Sequence, residues 1–261
     1  MENRFVSAKR VVIKIGTSTL THRTGMLNIR RIEQLVKVVA DIKNSGKEVI
    51  LVSSGAIGVG VGKLGLKQRP SDTPSKQACA AIGQCELMYI YDKQFSQYHH
   101  TVSQVLLTKD IVEDNVRKEN VINTFESLLS YGAIPIVNEN DTVSTEELVF
   151  GDNDTLSAIV ASLTGADCLV IMSDIDGLYD KDPHKNPDAK LIDYVPEITS
   201  QIIALGEGKG SELGTGGMAT KLQAAQIALD SNVQMAIVNG ENANNLYDLF
   251  DGVSVGTIFG K

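Results

Sequence analysis

Val11-Val12-Ile13-Lys14-Ile15, the segment from Asn28 to Asn44, and Glu48-Val49-Ile50-Leu51-Val52 follow one another near the start of this 261-residue chain, and their succession decides the fold. The first and third are short β-branched runs with no polar alternation, the pattern of strands covered on both faces. Between them Ile32, Leu35, Val36, Val39 and Ile42 recur every three or four residues, which predicts an amphipathic helix. Asn28 can cap its start and Gly46 can close its end. Strand, helix, strand in this order predicts a parallel pair joined by a right-handed crossover.

The same alternation continues. Helices are predicted around 56–64, 75–97 and 117–131, with strands at 102–107 and 133–137. Residues 143–150 read as a small hairpin or flap, and Gly151-Asp152-Asn153-Asp154 opens a helix that runs to about Leu163. A strand at 168–172, an irregular Pro-containing region, a helix over 217–230, a strand at 233–238, a helix at 243–250 and a short strand near 255–259 complete the chain. The expected fold is α/β: a three-layer αβα sandwich around a mainly parallel central sheet. No linker, charge block or internal repeat interrupts it, so residues 1–261 are read as one domain.

The formal net charge of −8 excludes nonspecific binding to nucleic acid or to an anionic membrane surface. The start, Met1-Glu2-Asn3-Arg4-Phe5, leads almost at once into a strand and does not read as a signal peptide, and no apolar run is long enough to span a bilayer. Cys79, Cys85 and Cys168 form no Cys-x-x-Cys pair, which fits a reduced cytoplasmic location. His22, His99, His100 and His184 lack metal-ligand spacing.

In open α/β sheets ligands collect beyond the carboxyl ends of the strands. The polar clusters Lys14 to Ser18, Ser53 to Gly55, Asn138 to Asp141 and Ser173-Asp174 all fall at such ends. Lys14 is the sharpest signal, since a charge inside an apolar strand is costly unless paired. Gly214-Thr215-Gly216-Gly217-Met218-Ala219-Thr220-Lys221 adds a glycine-rich loop running into a helix, an arrangement that offers inward N–H groups and a positive helix end to phosphate. By itself such a stretch can equally be a surface loop. Gly60-Val61-Gly62-Lys63-Leu64-Gly65 satisfies the dinucleotide pattern but lies beyond the turn after its strand, so these glycines are read as sites of close helix packing. Two lysines, carboxylates and glycine loops with no histidine base suit phosphoryl transfer to a carboxylate, which with a pKa of about 4.3 is already ionised.

The chain resembles the glutamate 5-kinases of the amino-acid-kinase family from Val11 to Phe259. The resemblance is carried by Val-Ile-Lys-Ile-Gly-Thr-Ser at 12–18, Val-Ser-Ser-Gly-Ala-Ile at 52–57, Asn-Glu-Asn-Asp at 138–141, Gly-Asp-Asn-Asp at 151–154, Gly-Leu-Tyr at 177–179 and the loop at 214–221. It implies ATP-dependent phosphorylation of the side-chain carboxylate of L-glutamate to L-glutamyl 5-phosphate, the first step of proline biosynthesis. It further implies that Lys14 bridges the transferring phosphoryl group, that Lys221 offsets charge on the ATP phosphates, and that Asp154 orients both lysines. Ser54, Asp141 and Asn153 match positions that hold glutamate. Lys14, Ser173, Asp174, Thr215, Gly216, Gly217, Met218, Ala219, Thr220 and Lys221 match those that contact ATP. Mg²⁺ is expected on phosphate oxygens and water rather than on a cage of protein ligands. Proline as feedback inhibitor and a homodimer or tetramer are further expectations. Ser173 replaces the family's usual threonine and keeps its hydroxyl. The chain stops soon after Phe259, so the C-terminal PUA domain of many members is expected to be absent. The residues alone leave open a kinase for another acceptor on the same scaffold, a non-catalytic sensor of glutamate or proline, and a nicotinamide oxidoreductase.

Overall fold

A computed structural model describes residues 4–22, 24–143, 152–183, 185–206 and 217–260. Its first half runs α1 (Arg4–Ser7), β1 (Arg10–Ile15), α2 (Thr17–Leu20), α3 (Ile29–Asn44), β2 (Glu48–Ser53), α4 (Ala56–Lys63), α5 (Thr73–Ser96), β3 (Val102–Leu107), a 3-10 turn at Lys109–Val112, α6 (Asn115–Ser130) and β4 (Ile134–Glu139). Then come α7 (Asn153–Leu163), β5 (Cys168–Ser173), β6 (Tyr194–Val195), α8 (Ser200–Leu205), α9 (Met218–Asp230), β7 (Gln234–Asn239), α10 (Asn245–Phe250) and β8 (Thr257–Phe259).

The strands form one sheet in the order β3-β4-β2-β1-β5-β7-β8-β6, and the six from β3 to β7 are mutually parallel. An uninterrupted apolar strand must be covered on both faces, and β1, the central example, is. Val11, Ile13 and Ile15 enter a core shared with α3, α5 and α10, while Val12 enters a second core with α6, α7 and α9. This is the three-layer αβα sandwich. The two-residue period of the strand puts Lys14 on the Val12 side, beneath α7 and α9. The hairpin read at 143–150 lies, from residue 144 on, outside the described residues.

Local chemistry places the helices much as their sequences demand. Asn28 caps α3, its Oδ1 accepting from Arg31 N at 3.3 Å, and Gly46 with φ +99° follows the helix. Asp72 and Asp114 cap α5 and α6 through Ser75 N and Val116 N, so both helices begin two residues earlier than their apolar spacing suggests. Four short features differ from the reading of the sequence. Thr17–Leu20 is a helical turn rather than a plain loop, and Arg4–Ser7 is another, pinned by Phe5 against Phe250 with centroids 6.2 Å apart. The irregular region contains β6 and α8. Pieces of two to six residues are too short for periodicity to register. The last strand runs antiparallel to β7, and Gly256 just before it, φ +69°, comes so close to β7 that a Cβ would stand 2.0 Å from Ile237 O.

The helix-packing reading of Gly60 to Gly65 is met at Gly60, whereas Gly62 abuts the backbone of Gly25 and Gly65, φ +64°, follows α4 with no neighbour within 4 Å of a Cβ. A Cβ on Gly60 would lie 1.9 Å from Cys79 O, and one on Gly83 of α5 would lie 1.8 Å from Ala56 O. Backbone meets backbone at both points, so α4 and α5 cannot slide without a clash. Gly83→Ala is therefore expected to cost at least about 2 kcal/mol in chemical denaturation. Gly58→Ala, whose nearest neighbour would be Thr17 Cγ2 at 3.6 Å, should be neutral or stabilising. Equal stabilities would refute this account of the packing.

Candidate active site

The connection after β1 leads to β2 on one side of the sheet, while that after β5 leads towards β7 on the other. Adjacent strands whose connections diverge leave a crevice beyond their carboxyl ends, and Lys14 and Ser173 stand at the mouth of this one. Asp152 caps α7, accepting from Thr155 N at 2.9 Å, and so presents Asn153 and Asp154 on the helix's first turn. Gly217 precedes α9, whose first turn carries Met218, Ala219, Thr220 and Lys221.

Three charges from three elements meet there. Lys14 Nζ lies 2.6 Å from Asp154 Oδ1, and Lys221 Nζ lies 3.1 Å from Asp154 Oδ2. Thr220 Oγ1 donates to Oδ2 at 3.2 Å. Lys14 is 8% exposed, Lys221 5% and Asp154 0%, so all three charges have given up most of their water. Burying ion pairs stabilises little or nothing compared with apolar packing. Two ammonium groups against one carboxylate leave a net positive charge at the crevice, flanked by the start of α9, and that combination attracts anions. Burial pushes the Asp154 carboxyl up, but the fields and hydrogen bonds of Lys14 and Lys221 outweigh it and hold the group below the usual carboxylate range.

A second polar set adjoins the first through α7. Asn153 Nδ2 reaches Ser54 Oγ at 2.9 Å, Asn138 Oδ1 at 2.9 Å and Ser53 O at 3.3 Å. Asn138 Nδ2 in turn donates to Gln84 Oε1 on α5 at 2.9 Å. Beyond β4, Asp141 borders a cavity of about 420 Å³ lined also by Gln84, Met88, Leu106 and Glu139. Burial, then the neighbouring Glu139 charge, pushes the Asp141 carboxyl up to about 6 despite the opposing field of Arg69.

Lys14, Asp154, Thr220 and Lys221 are thus in direct contact, and Ser54 and Asn153 bond each other. Ser173 and Asp174 close the neighbouring strand, with Ser173 Oγ donating to Asp174 Oδ1 at 3.2 Å. Thr215 and Gly216 lie outside the described residues. Among the described residues no group of three His, Cys, Asp or Glu side chains is placed to hold a metal ion, and no helix is long and apolar enough to cross a membrane. The sequence reading passed over Gln84. Its signal was there: Ala80, Gln84, Leu87 and Tyr91 form one helical stripe, and a polar residue interrupts it.

Residues 9–239 match the model of the amino acid kinase family, and the chain belongs to that family. Among curated relatives, a glutamate 5-kinase of Clostridium perfringens is 54% identical over 263 residues, covering 99% of this chain and 98% of that one. A glutamate 5-kinase of Listeria innocua is 52% identical, covering 99% and 95%. The crystal structure of isopentenyl phosphate kinase from T. acidophilum superposes with a TM-score of 0.66 at 18% identity, covering 96% of this chain and 99% of that one, which establishes the shared fold.

Loss of the central carboxylate is expected to unbalance the charge cluster. Asp154→Asn should destabilise the protein by about 3–5 kcal/mol near neutral pH, because two buried ammonium groups lose their counter-charge. A carboxyl held low contributes stability above its unfolded pKa and loses it as pH falls through the folded one. The gap between parent and variant should therefore narrow on acidification. Denaturation midpoints that coincide near neutral pH would contradict the reading.

Proposed function

We propose that this protein transfers the γ-phosphoryl group of ATP to the side-chain carboxylate of L-glutamate, giving L-glutamyl 5-phosphate and ADP, the first step of proline biosynthesis. The observation that carries this reading is the buried bridge from Lys14 through Asp154 to Lys221 at the crevice. A glutamate carboxylate oxygen forms the new bond to the γ-phosphorus as the bond from that phosphorus to the β,γ-bridging oxygen breaks and ADP leaves. No proton has to be removed from the nucleophile, which accounts for a cluster built from cations without a histidine base. Lys14 and Lys221 neutralise charge that grows on the equatorial and leaving oxygens, and Asp154 keeps both ammonium groups aimed at it. ATP lies along Ser173, Asp174 and the segment from Thr215 to Lys221. Mg²⁺, bound together with the nucleotide, would add positive charge to that supplied by Lys14 and Lys221.

Asp141, Ser54 and Asn153 hold the amino acid, with Asp141 facing its ammonium. Proline carries an α-carboxylate and an ammonium, here secondary and within the ring, in the same relation to each other, which supports inhibition at this end of the site. A homodimer or tetramer is assigned to the outer face of α5, where Ala81, Cys85 and Tyr89 stand exposed four residues apart. The free thiols of Cys79, Cys85 and Cys168 agree with work in the cytoplasm.

The test is ATP consumption with glutamate, the acyl phosphate being trapped as hydroxamate, beside aspartate and acetylglutamate as acceptors. Product from glutamate alone is expected; preference for another acceptor would overturn the assignment. Lys14→Ala and Lys221→Ala should each lower kcat by about 10²-fold or more, with smaller effects on thermal stability. Unchanged turnover in both would remove the mechanism.

The pH profile gives an independent check. Because the Asp141 carboxyl titrates near 6, kcat/KM for glutamate should fall as pH drops through that value while kcat/KM for ATP holds steady. Asp141→Asn should raise KM for glutamate by roughly 10- to 100-fold and abolish this limb of the profile. A variant defective only towards ATP would contradict the role.

A further inference from the structure

We infer that Gln84, which lies outside the set that meets glutamate or ATP in the reading above, is a positioning residue for the amino-acid end of the site. The argument rests on that reading, in which Asn153 and Ser54 meet the substrate. It begins from a group that cannot change role: the backbone oxygen of Ser53, which only accepts. It lies 3.3 Å from Asn153 Nδ2, so the Asn153 amide must turn its NH₂ inward. The two hydrogens of that NH₂ are shared among Ser53 O, Ser54 Oγ and Asn138 Oδ1. Two consequences face the substrate. Asn153 is left to offer its Oδ1, an acceptor matched to an ammonium. Ser54, having accepted from Asn153, keeps its hydroxyl hydrogen to donate to a carboxylate.

Asn138 turns its oxygen towards the same NH₂ and so helps to place it, which leaves the Asn138 NH₂ needing an acceptor on the other side. Gln84 Oε1 supplies it at 2.9 Å, in a contact buried from water. Remove the acceptor and the Asn138 NH₂ is left buried without a partner. If the Asn138 amide shifts or turns to relieve this, its hold on the Asn153 NH₂ is lost, and Asn153, still bound to Ser53 O and Ser54 Oγ, no longer stands where it meets the substrate. Gln84 can act as a fixed reference because α5 cannot shift: the next residue back, Gly83, has its Cβ position 1.8 Å from Ala56 O in the first turn of α4. The Ser53 Oγ to Tyr91 hydroxyl contact, 2.9 Å, ties the same helix to β2 beside Ser54.

Two substitutions test the direction as well as the existence of this chain of bonds. Gln84→Met keeps size and removes the acceptor; Gln84→Glu keeps the acceptor, removes the donor and adds a charge in the cavity that Glu139 and Asp141 also line. In the hydroxamate assay Gln84→Met should raise KM for glutamate by roughly tenfold, about one hydrogen bond of binding, with KM for ATP and kcat little changed. Gln84→Glu, which keeps the bond to Asn138 but adds a charge, should raise KM for glutamate less than Gln84→Met does. Should the methionine variant fail to fold, Gln84→Ala, which also removes the acceptor, carries the same expectation. An unchanged KM for glutamate in the variant lacking the acceptor, or equal rises in both variants, would overturn the inference. A loss shared by KM for ATP and melting temperature, with no selective effect on glutamate, would reduce Gln84 to a packing residue and overturn it too. Failure of the unsubstituted enzyme to form hydroxamate from glutamate would instead bring down the reading of the site, and this role with it.

Discussion

Asp154, with no exposed surface, held between Lys14 and Lys221, is the constraint around which the molecule is arranged. A carboxylate alone in such a place would be protonated, and a lysine alone would be neutral; together they stay ionised. Satisfying the triad takes a residue from the central strand, one from the first turn of α7 and one from the first turn of α9. These elements come together only when the second core is assembled. Folding and the assembly of this charge cluster are therefore one event here.

The layered architecture was readable because its signals are long and repetitive. Val11 to Ile15 and Glu48 to Val52 have no polar face, and the helix between them has one polar face and clear caps, so strand, crossover and strand were legible together. What escaped was short or set by contacts remote in sequence. The four-residue α1 depends on Phe5 meeting Phe250, and just before the antiparallel β8 Gly256 meets Ile237 O. No local pattern encodes either.

The candidate site was legible where a residue breaks the rule of its own element. Lys14 is a charge in an apolar strand, and its cost pointed to a partner that the structure supplies. Asp154 and Lys221 stood in helix starts that the glycine and asparagine motifs marked out. Gln84 also broke a rule, as the polar member of an apolar stripe on α5, yet its importance lies in which end of its amide faces Asn138. Direction of that kind is fixed by the backbone oxygen of Ser53, which comes near only in the folded chain.

Asn153 and Asp154 are consecutive, and each belongs to a different polar set: one reaches over the sheet edge towards Ser54 and Asn138, the other clasps the two lysines. In the proposed reading, one peptide unit at the head of α7 is the spacer between acceptor and donor substrates. On that reading, the gap the phosphorus must cross is gauged by covalent geometry, because the two anchoring side chains are joined through a single backbone link.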